Sequence, residues 1–168
     1  ITCHLRKDRR HIQDDDVRAL RDSIATRLNF ETCLDPEIVR IAIATRPVVA
    51  SHTGVRGVAD NARNLTDEHL RAIAATGGLI GIGFWPTASG GDDAEAIARS
   101  IKHATNVAGM DHVALGSDFD GAVQTPFDAS GMVQVTDALL LAGFKEDEVA
   151  RVMGGNAIRV LGECLPAT

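Results

Sequence analysis

The sequence has few cysteines and no long apolar run. Its three cysteines are odd in number and include no Cys-x-x-Cys pair, so neither a disulfide framework nor a thiolate zinc site is indicated. A reducing, cytoplasmic setting is therefore expected. No apolar stretch approaches the roughly 18 residues of a membrane span, and no leader-like segment precedes the first apolar run, so no membrane partner is expected.

Positive charge is also scarce. The 168 residues carry 17 Lys and Arg against 23 Asp and Glu, which gives a net charge of -6. Binding nucleic-acid phosphates requires a basic face, and the short cluster from Arg6 to Arg10 does not supply one, so no nucleic-acid partner is expected. With 45% hydrophobic and 24% charged residues, the composition is that of one globular domain spanning residues 1–168.

Short apolar segments alternate with longer segments of helical period, which is typical of repeated βα units around a parallel sheet. The pattern predicts five strands, at residues 1–5, 27–32, 47–51, 79–85 and 112–116. It predicts helices at residues 14–25, 35–45, 66–76, 92–107, 132–141 and 145–161.

Five βα units are fewer than the eight of a closed TIM (β/α)8 barrel, which typically needs ~250 residues. Five parallel strands could form an open sheet, a barrel fragment with an exposed edge, or part of a barrel completed by a second copy. The expected fold is therefore α/β, as a partial or oligomer-completed TIM barrel. A homo-oligomer is expected for the same reason.

The stretch from Asp111 to Gly121 delivers two carboxylates, Asp118 and Asp120, and a glycine turn after one apolar run. Parallel strands present their chemistry at this carboxyl end. His52 follows the third predicted strand, so its imidazole should lie at the same rim, where it could bind zinc while Asp118 ligates a cation or exchanges a proton. The alternatives remain a hydrogen-bonded loop histidine and an aspartate that caps a turn.

Other motifs accompany this stretch: Ser51-His52-Thr53, Asn61-Ala62-Arg63-Asn64 and Met153-Gly154-Gly155-Asn156. With them, residues 45–168 resemble the carboxyl-terminal part of renal or membrane dipeptidases, a family of zinc enzymes. The resemblance implies a zinc cofactor, a dipeptide substrate and metal-site roles for His52 and Asp118, with Asp118 also catalytic. It also implies that Arg63 holds the substrate carboxylate, which a guanidinium can do with two hydrogen bonds. Without the resemblance, a solvated loop charge is an equal alternative for Arg63.

Residues 1–44 instead resemble pyridoxine 5'-phosphate synthase, another (β/α)8 barrel, as a βαβα segment. The similarity lies in the run from Ile1 to Asp14 and in Thr26-Arg27-Leu28-Asn29-Phe30-Glu31. It implies proton transfer by His4 and Glu31 and substrate binding by Arg6 and His11. A chimera is therefore predicted, joined near Thr45 between a helix and a strand, where two βα proteins can meet without breaking an element.

Both family patterns are incomplete in this sequence. The dipeptidase pattern also requires a His-x-Asp pair, and none occurs anywhere in the chain. Glu31 lies close to the place of another expected histidine, and a carboxylate can bind zinc, so Glu31, His4, His52 and Asp118 could form a makeshift site. The leading hypothesis is a zinc-dependent dipeptidase-like hydrolase. The alternatives are an inactive, self-associating chimeric scaffold and, third, residual binding of a phosphorylated sugar.

Overall fold

A computed structural model describes residues 2–5, 8, 10–23, 29–32 and 47–164, with side chains for all of these except residues 2–4 and 29–32. The described part is an α/β protein whose strands all pair in parallel. The predicted α/β class with parallel βα units is therefore confirmed, whereas the completeness of a barrel stays a prediction.

The strands form two parallel sheets. β1 (Thr2–Leu5) pairs with β2 (Asn29–Thr32). β3 (Val49–Thr53), β4 (Leu79–Ile82) and β5 (Val113–Leu115) form a three-stranded sheet in that order. Parallel pairing brings all three carboxyl ends to one side, which we call the carboxyl edge (residues 51–54, 82–85 and 115–121). The opposite side is the amino edge (residues 48, 76–79 and 110–113).

Seven α-helices accompany these strands in the described part of the chain. Thr66 caps the second by accepting a hydrogen bond from the His69 backbone N–H, and Asp93 caps the fourth by accepting one from the N–H of Ala96. No described helix is both long and apolar enough to cross a membrane. The helices are α1 (Asp14–Ser23), α2 (Asp67–Ala74), α3 (Pro86–Ser89), α4 (Ala94–Ala108), α5 (Val133–Leu141), α6 (Glu146–Ala150) and α7 (Asn156–Cys164).

Several predicted boundaries were wrong. The single helix predicted over residues 145–161 is two helices, because the backbone leaves helical geometry at Gly154, inside the π-helical turn Arg151–Gly155. The predicted fourth strand ends at Ile82 rather than at residue 85, and the third is displaced to residues 49–53. The predicted helix over residues 35–45 lies outside the described residues.

The core packs around β4, the central strand of the second sheet. Ile80 and Ile82 are fully buried, as are Ile97 and Ile101 of α4 and Leu139 of α5. Burying each such side chain contributes about 1.5–3 kcal/mol relative to leaving it exposed. This packing fixes β4, and β4 in turn fixes the segment at the carboxyl edge that follows it.

Candidate active site at the carboxyl edge

A β-bulge shapes the end of β3. Ala50 is opposite Ile80 and Thr53 is opposite Ile82, so Ser51 and His52 together face Gly81 alone. Two glycines make room for the bulge, because a Cβ on Gly81 or on Gly116 would overlap the Ser51 carbonyl oxygen. The sequence pattern predicted that His52 follows the strand, whereas in the structure it lies within it. Its side chain is exposed at the carboxyl edge.

The imidazole of His52 is oriented by two neighbours. Its Nδ1 lies 2.8 Å from the Ser51 hydroxyl oxygen. The Trp85 ring meets it edge-on, with the ring centroids 6.1 Å apart. Trp85 itself folds over Gly83, where a Cβ would overlap its ring. No described group engages Nε2, so this nitrogen is available to a metal or a proton, and the predicted ligand role stays a prediction.

Asp118 occupies the turn after β5 with a φ of 59°, which makes it the one described non-glycine residue in the left-handed region. Aspartate tolerates this conformation better than most residues. The Gly121 N–H donates to the Asp118 carbonyl oxygen over 2.9 Å, and a Cβ on Gly121 would overlap the carboxylate. The turn therefore holds the carboxylate at the carboxyl edge, as predicted.

The segment after β4 connects these two groups. Trp85 contacts His52, while Phe84 packs edge-to-face against Phe119 with centroids 5.6 Å apart. Phe84 is fully buried, so it anchors the turn that carries Asp118. The fold thus brings His52 and Asp118 to one edge, from the two strands that flank β4.

Arg63 lies in the loop of residues 54–66 that leaves the carboxyl end of β3. The loop is closed by backbone hydrogen bonds between Leu65 N–H and Gly54 O (2.9 Å) and between Arg56 N–H and Leu65 O (2.8 Å). The Arg63 side chain is exposed, and no described carboxylate forms an ion pair with it. Arg56 in the same loop does pair, with Asp60 at 2.9 Å. Arg63 is thus a cation available to an anionic ligand.

The candidates from the amino-terminal segment are not brought to this edge by any described contact. His4 and Glu31 are register partners in β1 and β2. Their side chains, and the whole of Arg6, lie outside the described part of the chain. His11 is exposed in a bend before α1. The proposed roles of these four residues stay predictions.

The described side chains do not complete a zinc centre. Among them, no group of three or more His, Cys, Asp or Glu residues could hold a metal ion. Zinc in proteins takes three or four protein ligands, and His52 with Asp118 supplies at most two. The residues described here therefore do not by themselves fit zinc.

Trp85 was expected to line a core or pocket wall, but sequence reasoning missed its contact with His52, and it missed the contacts of Ser51 and of the asparagines on either side of Arg63. Ser51 stands next to His52 in the sequence, which was a usable signal for a hydrogen bond to the ring. The Trp85-Pro86 pair was a usable signal for the start of α3, since proline favours the first helical turn. The asparagine contacts reach across the fold and have no local signal.

Two family models match the chain. Residues 37–166 match the membrane dipeptidase family, peptidase family M19, and residues 1–72 match the pyridoxal phosphate biosynthesis protein PdxJ. The two similarities stated from the sequence are thus confirmed. The matched ranges overlap over residues 37–72, and the predicted boundary near Thr45 lies inside this overlap and stays a prediction.

Individual relatives agree with the larger match. A protein from Klebsiella pneumoniae described as an uncharacterized protein in the pqqA 5' region is 36% identical over 127 residues, covering 70% of this chain and 47% of its own length. Dipeptidase ataJ from Aspergillus terreus is 34% identical over 129 residues, covering 72% of this chain and 32% of its own. The chain therefore spans half or less of the length of these relatives.

Solved structures extend the similarity. The crystal structure of dipeptidase AC, a metallopeptidase of family M19, has a TM-score of 0.78 at 26% identity, over 92% of this chain and 49% of that one. A metallopeptidase from Rhodobacter sphaeroides, liganded with a phosphinate mimic of L-Ala-D-Ala, has a TM-score of 0.75 at 25% identity, over 90% of this chain and 46% of that one.

Proposed function

This chain belongs to the membrane dipeptidase family, and from that premise we propose that its carboxyl edge forms part of a site that hydrolyses dipeptides. The observation that carries the proposal is the placement of His52, Arg63 and Asp118. All three lie at the carboxyl edge or in the loop that leaves it. No described side chain bonds to their polar groups, apart from Ser51, which contacts His52. The partial TIM-barrel architecture is part of the same proposal.

Arg63 has the clearest role in this proposal. A dipeptide has a free carboxylate, and a guanidinium binds a carboxylate through two parallel hydrogen bonds. Arg63 is exposed and forms no ion pair with a described carboxylate, which fits that ligand, whereas Arg56 is already paired with Asp60. We assign substrate carboxylate binding to Arg63 on this contrast.

Asp118 is proposed as the proton-transfer group. In hydrolysis, the oxygen of water bonds to the peptide carbonyl carbon while one of its O–H bonds breaks, and the C–N bond then breaks as the leaving amine takes a proton. A half-buried carboxylate held by the turn after β5 can accept the proton from water and pass it to the amine when both lie within hydrogen-bond reach. His52 is proposed as a ligand or proton carrier through Nε2. Any metal bound here needs donors beyond the described side chains.

The proposal is tested by measuring binding of the dipeptide L-Ala-D-Ala and of its phosphinate mimic by calorimetry, with hydrolysis followed in parallel. Arg63→Met should weaken binding about tenfold or more, the loss expected for one charge-assisted carboxylate contact. The matched control is Arg56→Met in the same loop, which should bind as the parent does. Equal weakening in both variants, or none in either, would contradict the role of Arg63.

Metal dependence needs its own measurement. Elemental analysis of purified protein, repeated on His52→Ala and Asp118→Ala, should show zinc in the parent and a loss in both variants if His52 and Asp118 take part in a metal site. If the parent protein contains no zinc and hydrolyses no dipeptide, the proposed hydrolysis is wrong and only the fold is shared with the dipeptidases.

A second candidate function is a self-associating chimeric scaffold without turnover. It is favoured by two observations: two different family models match the chain, and the described side chains contain no three-donor metal cluster. Within the described sheet, β3 and β5 each pair on one side only, which leaves edges that a second copy could cover. This candidate predicts a defined oligomer by light scattering and no dipeptide hydrolysis with added zinc. A monomer would exclude it.

A further inference from the structure

We propose that Asn61 and Asn64 are positioning residues that hold Arg63 in place to receive a carboxylate. This inference rests on the proposed role of Arg63 and adds to it the groups that fix the geometry of the loop. The two asparagines and the backbone carbonyls they bind are called the asparagine clamp: Asn61, Asn64, Ala59 O and Thr87 O.

The clamp consists of four hydrogen bonds donated by two side-chain amides. Asn64 Nδ2 donates to Ala59 O over 2.7 Å and to Thr87 O over 2.9 Å. Asn61 Nδ2 donates to the same carbonyls, over 3.3 Å to Ala59 and 2.7 Å to Thr87. Both amides thus tie the loop to helix α3, more than twenty residues further along the chain.

Arg63 lies between the two amides in the sequence and is bonded directly to one of them. Its backbone N–H donates to Asn61 Oδ1 over 3.0 Å. Asn64, the next residue, is 4% exposed, so its amide is fixed in the protein interior while the Arg63 side chain stays in solvent. A buried anchor on one side and a hydrogen-bonded N–H on the other leave the Arg63 backbone little freedom.

The Thr87 carbonyl is available because α3 is only four residues long. The N–H of Gly90 bonds to Pro86, and the helix ends before it can provide an N–H to Thr87. Gly54 permits the close approach, since a Cβ there would overlap both the Ala88 carbonyl oxygen and the Asn64 side chain. The two amides therefore satisfy a carbonyl that the short helix leaves open.

The clamp also sets Arg63 relative to His52. Thr87 is two residues after Trp85, whose ring contacts the His52 imidazole. Through α3, the loop that carries Arg63 and the bulge that carries His52 are attached to the same short segment. Loss of the clamp should therefore shift the carboxylate-binding group without removing it.

The test measures discrimination between L-Ala-D-Ala and its carboxamide, which lacks the negative charge, by calorimetry on the full chain. The parent should prefer the free carboxylate about tenfold or more, as expected for one charge-assisted contact. Asn64→Ala and Asn61→Ala should bring this ratio towards one. A residue with a merely structural role would lower both affinities together and leave the ratio unchanged.

The matched control is Asn156→Ala at the amino edge. Asn156 is also buried, at 2% exposure, and its amide also bridges two carbonyls, those of Met110 (2.7 Å) and Val113 (2.8 Å). This variant should lose stability in the same way and keep the parent ratio. Asn61 is only half-buried, so Asn61→Ala remains informative if Asn64→Ala fails to fold.

A second readout does not depend on any ligand. Trypsin cleaves after arginine, and the clamp should slow cleavage of the Arg63–Asn64 bond by holding its backbone. Both clamp variants should be cleaved there at least about tenfold faster than Asn156→Ala, since local opening of the loop is then easier. If both variants are cleaved at the Arg63–Asn64 bond no faster than Asn156→Ala, the asparagines do not hold the Arg63 backbone and the proposal is wrong.

The outcomes separate this inference from the proposed function. If the parent does not discriminate between the dipeptide and its carboxamide, the role assigned to Arg63 fails, and the positioning role fails with it. If the parent discriminates and both asparagine variants keep the parent ratio, only the positioning role is overturned.

Discussion

The two edges of the three-stranded sheet use polar side chains in opposite ways. At the amino edge, side chains bond to backbone groups around the strand starts, and among the buried side-chain polar atoms of the described residues only Arg159 Nε lacks a partner. At the carboxyl edge and in the loop that leaves it, His52, Arg63 and Asp118 carry polar groups to which no described side chain bonds, apart from the contact of Ser51 with His52. The amino-edge bonds are Asn156 to Met110 O and Val113 O, Arg159 to Asp111 O and Gly77 O, His112 to Gly78 O, and Val48 N–H to Thr76.

This difference separates stability from ligand binding within one small sheet. A buried polar group that finds its partner inside the protein stabilises the fold, and removing the partner leaves an expensive unsatisfied atom. A polar group without such a partner contributes little to folding but keeps its full capacity for a ligand. Substitutions at the two edges should therefore affect different measurements.

The largest expected loss of stability comes from a substitution at the carboxyl edge. It is an exception to the division just described, because stability there depends on glycines rather than on polar side chains. Gly81→Ala would place a methyl group on the Ser51 carbonyl oxygen, which the backbone of β4 cannot easily avoid. We expect a loss of about 3 kcal/mol in the free energy of unfolding, at the upper end for overpacking, measured by urea denaturation.

The control for this loss is Gly162→Ala in α7, where nothing lies within 4 Å of the added methyl group. Alanine favours a helix over glycine by about 0.8–1.0 kcal/mol, so this variant should be as stable as the parent or more so. A Gly81→Ala protein of parent stability would show that the bulge is not packed as described.

The next effect tests the amino edge. Asn156→Ala removes one hydrogen bond from the buried Val113 carbonyl and one from the partly buried Met110 carbonyl, and should lower the free energy of unfolding by about 2 kcal/mol. Chemical denaturation measures this, with Asn106→Ala on the exposed side of α4 as the control. Dipeptide binding by the folded fraction should not change. A parallel loss of carboxylate discrimination would mean that the two edges are not independent.

Much of this fold could be predicted from the sequence, because strands and helices follow from the local apolar pattern. The predicted helices over residues 14–25 and 66–76 begin within one residue of α1 and α2 in the structure. The division of the last helix could also have been predicted, since Gly154 and Gly155 stand side by side in it. Boundaries failed where only tertiary packing decides them, as at the end of β4.

The candidate site was predictable only in part. His52 and Asp118 could be placed at the carboxyl edge because parallel strands end there, but the bulge at Ser51 could not. It depends on Gly81 and Gly116, which are distant in the sequence and adjacent only after the sheet forms. The clamp around Arg63 could not be predicted either, since its partner Thr87 belongs to helix α3, more than twenty residues further along the chain.

A smaller effect of opposite sign is expected at Asp118. Its φ of 59° is unfavourable for most residues and natural for glycine, so Asp118→Gly should raise the free energy of unfolding by about 0.5–1 kcal/mol. Asp118→Ala should instead lower it, because alanine adopts the left-handed conformation less readily than aspartate. If Asp118 serves the proposed reaction, both variants lose hydrolysis. A less stable Asp118→Gly protein would argue against strain at this position.

The smallest effect concerns pH and lies beside the amino edge. Arg151 donates to Asp147 over 2.6 Å, and this hydrogen bond lowers the pKa of the Asp147 carboxyl group from its ordinary value. A lowered folded-state pKa means that the stabilisation is complete above the unfolded pKa of about 3.9 and is lost as the pH falls through the folded value. Asp147→Asn should therefore reduce stability slightly at neutral pH and match the parent in strong acid.

The side chains of Arg151 and Asp147 are both exposed to solvent, so added salt should reduce the difference in stability between parent and variant. Denaturant midpoints of parent and variant measured between pH 2 and pH 7 check this, and curves that stay parallel throughout would contradict it.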